Sequence, residues 1–498
     1  MNQIIIDVGL QENRVAVMEN DELVELYIEK DDNKRTLGNI YKGRVVNVLP
    51  GMQAAFVDIG LEKNAFLYVK DAIPKELLSN KNINLKDISI RDVVKSGQDI
   101  IVQVIKEPFG NKGARVTTHI TIPGRHVVLM PYTDYIGVSR RISDESERER
   151  LREIIESVKP ANMGVILRTA SEGLELEDFK DDIKFLLKVL NKIDSEKKLG
   201  FAPRIIYRDY DLIHRTVRDL FTNNVQKLIV NDREKYKSIV ELVELMSPQL
   251  KNRVEYFDSS HDIFGYFGVE QAIKKALDRQ VWLKSGGYIV IDETEALTSI
   301  DVNTGKYVGS INLEDTVLKT NIEAAKEIAK QLRLRNIGGI IIIDFIDMNN
   351  DEHEKEVLKV LENELKKDRT KSNVLGMTQL GLVEMTRKKV RSRLTTNLLI
   401  ECPYCNGTGK VYSENSVLSL IYKEARRLKM HTSAEAAILE VNPHIIEYLK
   451  YHNNSVIKKI EEECDIKLFI KGNPAVHHNE IKVKNIGRMD FIKEILGE

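Results

Sequence analysis

The sequence predicts a multidomain chain of α/β and α+β units with a small β-barrel near its amino end. Three observations lead there. The 498 residues are 42% hydrophobic and 30% charged, enough to bury several cores, and at typical domain sizes they divide into about three to five domains. Between residues 36 and 118, glycine breaks a series of short strands at close intervals, as in NIYKGRVVNVLPGMQAAFVDIGLEKNAFLYVKD, which is the texture of a small barrel of the OB type. Between residues 279 and 400 a strand, helix, strand order predicts an α/β layer.

The elements follow in order. Residues 1–35 alternate apolar and polar positions in QIIIDVG, RVAVMEN and LVELYIE, which predicts a meander of strands. Residues 119–214 place strands such as HVVLMP and MGVILRTA around helical stretches, notably SERERLREIIESV. Residues 215–278 read as mostly helical. GGYIVIDETEALTSIDVNTG then reads as two strands joined by a polar turn. In LEDTVLKTNIEAAKEIAKQLRLRN, Val317, Leu318, Ile322, Ala325, Ile328, Ala329 and Leu332 recur at helical spacing, and Gly338 and Gly339 stop the helix. GGIIIIDFIDM reads as a buried strand. After a CxxC at 401–415, residues 416–498 offer a helix, the strand AAILEV, two further helices and two strands, a small α+β unit.

Composition excludes several classes. The amino terminus lacks a basic region followed by a long apolar core, and IGGIIIIDF is too short to span a bilayer, so a cytoplasmic protein is expected. Three cysteines, Cys402, Cys405 and Cys464, make no disulfide framework and fit a reducing compartment, where a CxxC binds metal or is redox-active. With a formal net charge of −1, nucleic acid can be bound only through local basic patches.

One constellation carries chemistry. In LTSIDVN, alternation puts Ser299, Asp301 and Asn303 on one face and Ile300 and Val302 on the other. In IIIIDF, Asp344 interrupts a run that reads as fully buried, where an unpaired charge is costly unless it meets a cation or donor. If the two strands are neighbours, Asp301 and Asp344 can share one hard cation, with Asn303 supplying a neutral group, and magnesium suits that set. A turn before NTG and a plain strand end account for the same two aspartates without a metal.

GGYIVIDETEALTSIDVNTG, QLRLRNIGGIIIIDFIDM and CPYCNGTG, in that order and spacing, closely resemble the ribonuclease E and ribonuclease G family of bacterial RNA-processing endonucleases. RVVNVLPGMQAAFVDIG, VVLMP, GVSRRI and MGVILRTA extend the resemblance over almost the whole chain. The chain stops soon after the small domain, without the long disordered scaffold of many ribonuclease E proteins, which brings it nearer the ribonuclease G side of the family.

The resemblance implies an RNase H-like domain (1–35 and 215–278) interrupted by an OB-fold RNA-binding domain (36–118) and a 5′-sensor domain (119–214). A DNase I-like catalytic domain (279–400), a zinc-link (401–415) and a small α+β domain (416–498) complete it. It implies that Asp301 and Asp344 hold a catalytic Mg2+, and that Asn303 orients Asp301 or contacts the scissile phosphate. It further implies a 5′-monophosphate pocket of Gly124, Val128, Arg168, Thr169 and Lys371, the last a lysine where other members carry arginine. Phe56 and Phe66 match aromatic positions that contact single-stranded RNA, Lys112 in GNKGA is a candidate contact to phosphate, and the basic run RKKVRSR (387–393) is either a contact to the RNA backbone or a solvated helix face. The implied activity is magnesium-dependent cleavage of AU-rich single-stranded RNA in RNA processing and decay.

Cys402 and Cys405 supply two of the four ligands that structural zinc requires. Cys464 lies with Ile457 and Ile460 at spacings of three and four, a core-facing stripe; the CxxC with two remote histidines of the same chain is the alternative, although no histidine pair has convincing zinc spacing. The resemblance points to the same two cysteines of a second chain, hence one Zn2+ per homodimer, with a tetramer as the next possible assembly. Two other classes compete: a non-catalytic RNA-binding protein working through the OB-fold, and a zinc-dependent chaperone, since CPYCNGTG resembles the repeat of J-domain chaperones. That repeat normally occurs four times in one chain.

Overall fold

The first strand, Gln3–Val8, is apolar enough to be buried on both faces, and in the computed structural model it sits inside a sheet. The structure describes residues 1–30, 35–73, 88–108, 112–142, 144–305, 313–451 and 455–497. These form two units, Met1–Asn397 and Leu398–Glu498.

Gln3–Val8, Glu12–Glu19 and Glu22–Lys30 form the meander the sequence predicts. Their sheet then continues into Lys227–Val230 and Val254–Tyr256, which add in parallel beside Gln3–Val8. Those two strands lie within the segment that reads as mostly helical. Each is too short to show a period, and its partner is remote in the chain.

The expected barrel is present and closed. Ile40–Leu49, Ala54–Asp58, Ala65–Tyr68, Arg115–Thr117 and Asp99–Lys106 pair in that spatial order, and Asp99–Lys106 returns to Ile40–Leu49. Arg204–Tyr207, from far along the chain, also pairs with Ile40–Leu49. Val45, Val57, Leu67, Val102 and Val116 fill the interior. The barrel is followed by a four-stranded sheet of Ile136–Val138, Gly164–Leu167, Val127–Met130 and Ile122–Pro123, with the helices Glu145–Val158 and Leu176–Lys197 nearby in the chain.

The predicted strand, helix, strand unit lies in a six-stranded sheet ordered Gln280–Trp282, Tyr288–Glu293, Leu297–Asn303, Gly339–Asp344, Leu382–Arg387, Ser372–Met377. Leu297–Asn303 and Gly339–Asp344 are parallel neighbours, so the chain must cross over between them, and the helix Leu313–Leu334 lies in that crossover. Its apolar stripe packs with Asp351–Leu365 over Ile289, Ile291, Ile300, Ile341 and Ile343. The helix also buries a polar face, on which Arg333 reaches Glu19 and Glu25 at 2.9 Å each.

Two details differ from expectation. The helix ends at Leu334, and the residue that turns the chain is Asn336, at φ 51°, ahead of the two glycines. The isoleucine run is not buried throughout: Ile341 and Ile343 are in the core, whereas Ile340 is 51% exposed and Ile342 partly so. Among the described residues of the first unit, helices cover one face of the sheet.

The second unit has the predicted helix, strand, two helices and two strands, and ends on a further helix, Met489–Leu496. Cys464 is buried with Ile457 and Ile460, as their spacing requires. No helix of the described residues is long and apolar enough to cross a membrane.

One glycine tests the barrel's closure. A Cβ on Gly113 would lie 2.1 Å from the Asn64 backbone oxygen, and backbone cannot yield as a side chain can. Gly113→Ala is expected to destabilise the barrel by about 2 kcal/mol. Hydrogen exchange should accelerate at Val57, Leu67 and Val116 and not in the second unit.

Candidate functional site

Alternation in Leu297–Asn303 is realised as read: Ile300 and Val302 are buried, Ser299 and Asp301 exposed, Asn303 between. The parallel register sets Asp301 directly opposite Asp344, and paired residues of neighbouring strands share a face, their backbones about 4.8 Å apart across the sheet. The two carboxylates thus stand side by side on the uncovered face. Asn303 donates from Nδ2 to Asp301 Oδ2 at 2.7 Å, which fixes that carboxylate's orientation.

The pair carries an electrostatic signature. Partial burial, then the charges of Asp301 and Asp347, push the Asp344 carboxyl above its ordinary value. Asp347 is a neighbour the sequence reading did not single out, although it stands three residues away in IIIDFID. Among the described residues no three or more histidine, cysteine, aspartate or glutamate side chains gather as a metal cage. Two carboxylates with an amide beside them fit a hard divalent ion that keeps several of its waters.

A second site lies on the four-stranded sheet. Arg168 Nη1 bonds the Gly124 backbone oxygen at 2.5 Å and Asp219 Oδ1 at 2.7 Å. The Thr169 and Ser139 hydroxyls are 3.0 Å apart. Val128 pairs with Ile166 on the adjoining strand. Gly124 is required where it stands, because a Cβ there would lie 2.6 Å from both Asp182 carboxylate oxygens. Asp182 in turn accepts the backbone N–H groups of Arg125, His126 and Val127 at 3.1, 2.8 and 3.0 Å.

Sequence reasoning missed Asp219 and Arg369. Burial alone would raise the Asp219 carboxyl, but the Arg218 and Arg168 guanidiniums outweigh it and hold it below the usual range. Arg369 donates to the Asp219 backbone oxygen at 2.9 Å, two residues from Lys371. Lys371 is exposed, and its backbone oxygen accepts from the Lys388 N–H at 3.0 Å. No local pattern marks Asp219 as a partner of Arg168, since 51 residues separate them.

On the barrel, Phe56 and Phe66 are directly paired across neighbouring strands, half-buried, with ring centroids 6.0 Å apart. The loop that carries Lys112 is described only from that exposed residue onward. The basic run 387–393 is no helix. Arg387 is buried against Asp368 at 2.7 Å, Arg391 lies 3.9 Å over the Tyr27 ring, and Arg393 pairs with Glu293 at 2.9 Å, so those three have internal partners, whereas Lys388 and Lys389 are exposed.

In the second unit the chain curls at Asn406, Gly407 and Gly409, all at positive φ. The Gly409 N–H donates to Cys405 Sγ at 3.1 Å. The N–H groups of Cys405 and Tyr404, then the Cys405 thiol, hold the Cys402 thiol below its ordinary value. N–H groups aimed at sulphur suit thiolates rather than thiols. Cys402 is exposed, and one described chain offers two such ligands.

Comparison with known proteins adds to this geometry. A family model described as "Ribonuclease E/G family" matches residues 121–390, and one described as "RNase E/G, Thioredoxin-like domain" matches 401–486. The chain is 43% identical over 485 residues to ribonuclease G of Salmonella typhimurium (strain SL1344) and equally to that of Escherichia coli (strain K12), covering 97% of this chain and 99% of each relative.

The chain belongs to the ribonuclease E/G family.

Within the family it also aligns with ribonuclease E of Haemophilus influenzae, 35% identical over 502 residues, which is 99% of this chain and 53% of that relative. The thioredoxin-like description of the carboxyl-terminal unit was not read from the sequence. There a three-stranded sheet ordered Lys467–Gly472, Ala436–Val441, Lys482–Gly487 carries helices whose periods show only a small α+β unit.

The carboxylate pair makes a pH-dependent prediction. Because the folded Asp344 binds its proton more tightly than an unfolded aspartate, charging it costs stability as pH rises from the ordinary carboxylate range through its raised value. Asp301→Asn removes one like charge, so Asp344 should titrate at lower pH. It should stay above the ordinary value because partial burial remains. Carboxyl 13C NMR of Asp344 reads the shift, and an unchanged midpoint would contradict the coupling.

Proposed function

We propose that the chain is a magnesium-dependent endoribonuclease that cleaves AU-rich single-stranded RNA in RNA processing and mRNA decay. It senses a 5′-monophosphate and leaves 5′-phosphate and 3′-hydroxyl ends in the cytoplasm. As a member of the ribonuclease E/G family it is a hydrolytic endoribonuclease. The observation that carries the finer reading is the register that puts Asp301 beside Asp344 on an exposed sheet face.

Asp301 and Asp344 are the residues that would hold magnesium, whose bound form polarises the scissile phosphoryl group and activates water for in-line attack. Asn303 keeps the Asp301 carboxylate in place through its 2.7 Å bond. Ile300, Val302, Ile341 and Ile343 anchor both strands in the core beneath, so the carboxylates are held on rigid elements rather than a loop.

The remaining parts divide the work. A barrel ordered first, second, third, fifth, fourth strand, closed on the first, supports an OB-fold that binds single-stranded RNA. Phe56 and Phe66 stack bases there and Lys112 meets phosphate. Three antiparallel strands continued by two parallel ones support an RNase H-like domain with a structural role, and residues 279–400 serve as the DNase I-like catalytic domain. Gly124, Val128, Arg168 and Thr169 form the 5′-monophosphate pocket, with Lys371 at its margin, and Arg168 exchanges Asp219 for phosphate. Cys402 and Cys405 hold one zinc between two chains, which gives a homodimer and leaves a tetramer open to two such pairs.

Three outcomes test this reading. Asp301→Asn and Asp344→Asn should each abolish cleavage, a loss of a thousandfold or more in kcat, while RNA binding survives; near-normal cleavage by either variant contradicts the metal-site assignment. Arg168→Ala should erase most of the preference for 5′-monophosphate over 5′-hydroxyl oligonucleotides and spare the slower cleavage of the latter. Equal losses on both substrates would mark Arg168 as a structural residue. Metal analysis should find half a zinc per chain, and Cys402→Ser with Cys405→Ser should lose both the metal and the dimer. One tightly held zinc per chain contradicts sharing.

A further inference from the structure

The uncovered face of the catalytic sheet continues past the carboxylates to its edge strand. Gln280–Trp282 is that edge, and its inward residue, Val281, packs on the core while Trp282 stands 62% exposed. Trp282 pairs with Tyr288, and Tyr288 pairs with Asn303. Directly opposite residues share a face, so Trp282, Tyr288 and Asn303 form one row across three strands. The row beside it runs Gln280, Val290, Asp301, Asp344. The Trp282 and Tyr288 rings lie 5.3 Å apart at 60°, two amphipathic rings that hold each other upright on the solvent side.

An exposed tryptophan on a sheet edge is an adhesive surface that a folded chain normally covers. Two interstrand spacings, roughly 10 Å, separate it from Asn303, which is within reach of a nucleotide adjoining a phosphodiester held at the carboxylates. Rings and carboxylates on one continuous face make a stacking platform for single-stranded nucleic acid.

We propose that Trp282 and Tyr288 form a subsite that stacks one base of the RNA strand next to the scissile bond. This inference rests on the endoribonuclease reading above. The subsite sets register: a stacked base fixes which phosphodiester lies over Asp301 and Asp344. Stacking tolerates any base, because every base has a π face, so the subsite contributes binding and position rather than sequence choice.

The chain contains one tryptophan, so its fluorescence reports on this site alone. Short single-stranded oligoribonucleotides with one cleavage site and a fluorescein label serve as the probe, with the full-length chain and magnesium, and with the Asp301→Asn variant for binding without cleavage. Tryptophan emission should quench in step with the rise in anisotropy. Trp282→Ala should raise KM by roughly five- to a hundredfold, more than it changes kcat, and Trp282→Phe should recover most of the loss. A single abasic residue beside the cleaved bond should impose the same penalty on the native chain and none further on Trp282→Ala.

Saturated anisotropy with unquenched emission, an unchanged KM, or additive penalties would overturn the subsite. A Trp282→Ala variant that changes oligomeric size on a sizing column would assign the face to a second copy instead, and would equally overturn it. If the native chain cleaves no RNA with magnesium, the endoribonuclease reading itself fails, an outcome distinct from cleavage that ignores Trp282.

Discussion

The six-stranded sheet of the proposed catalytic site depends on one register: Asp301 level with Asp344 on parallel neighbouring strands. A slip of one residue would turn one carboxylate into the core and an isoleucine out to solvent. The register is held from below, where Ile300, Val302, Ile341 and Ile343 lock into the helices Leu313–Leu334 and Asp351–Leu365. Parallel pairing itself requires the long crossover between the two strands, and the helix that lies in it is the one that packs the sheet. The hydrophobic face therefore positions the charged one, and two like charges are tolerated together because the buried face leaves them no other place.

The same economy of charge recurs in the proposed sensor pocket. With a net charge near zero, the chain cannot rely on a general positive field, and several of its arginines are held by its own carboxylates. Arg168 and Arg218 share Asp219, Arg333 sits between Glu19 and Glu25, and Arg387 is buried on Asp368. An arginine so paired is oriented before a ligand arrives, at the expense of a partner that the ligand must displace. The Asp182 carboxylate plays the complementary part, fixing the Gly124 to Val127 backbone through three N–H groups.

The carboxyl-terminal cysteines differ in kind. Cys405 accepts an N–H bond from Gly409, and Cys402 is exposed on a tight curl made by three residues at positive φ. Cys464 fills a core position with Ile457 and Ile460. The contrast separates thiols that are presented from one that is packed, and it comes from glycine placement and apolar spacing rather than from the cysteines themselves.

The sequence by itself determined whatever depends on near neighbours in the chain. Alternation in LTSIDVN told which side chains share the Asp301 face, helical spacing told which side of Leu313–Leu334 meets the sheet, and closely spaced glycines told of a barrel. Each of these is a periodicity imposed by backbone geometry, so it can be read without knowing the partner. Tertiary structure alone decided who the partners are. The strands Lys227–Val230 and Val254–Tyr256 are too brief to carry a period and take their identity from Gln3–Val8. Asp219 meets Arg168 across 51 residues, and the basic run 387–393, which spacing alone leaves between an RNA contact and a solvated helix face, sends Arg387, Arg391 and Arg393 to Asp368, Tyr27 and Glu293. An isoleucine run likewise reads as buried on both faces, because apolar composition cannot reveal that Ile340 stands on the face opposite the helices. Long-range pairing is chosen by the packing of whole layers, and no local pattern encodes it.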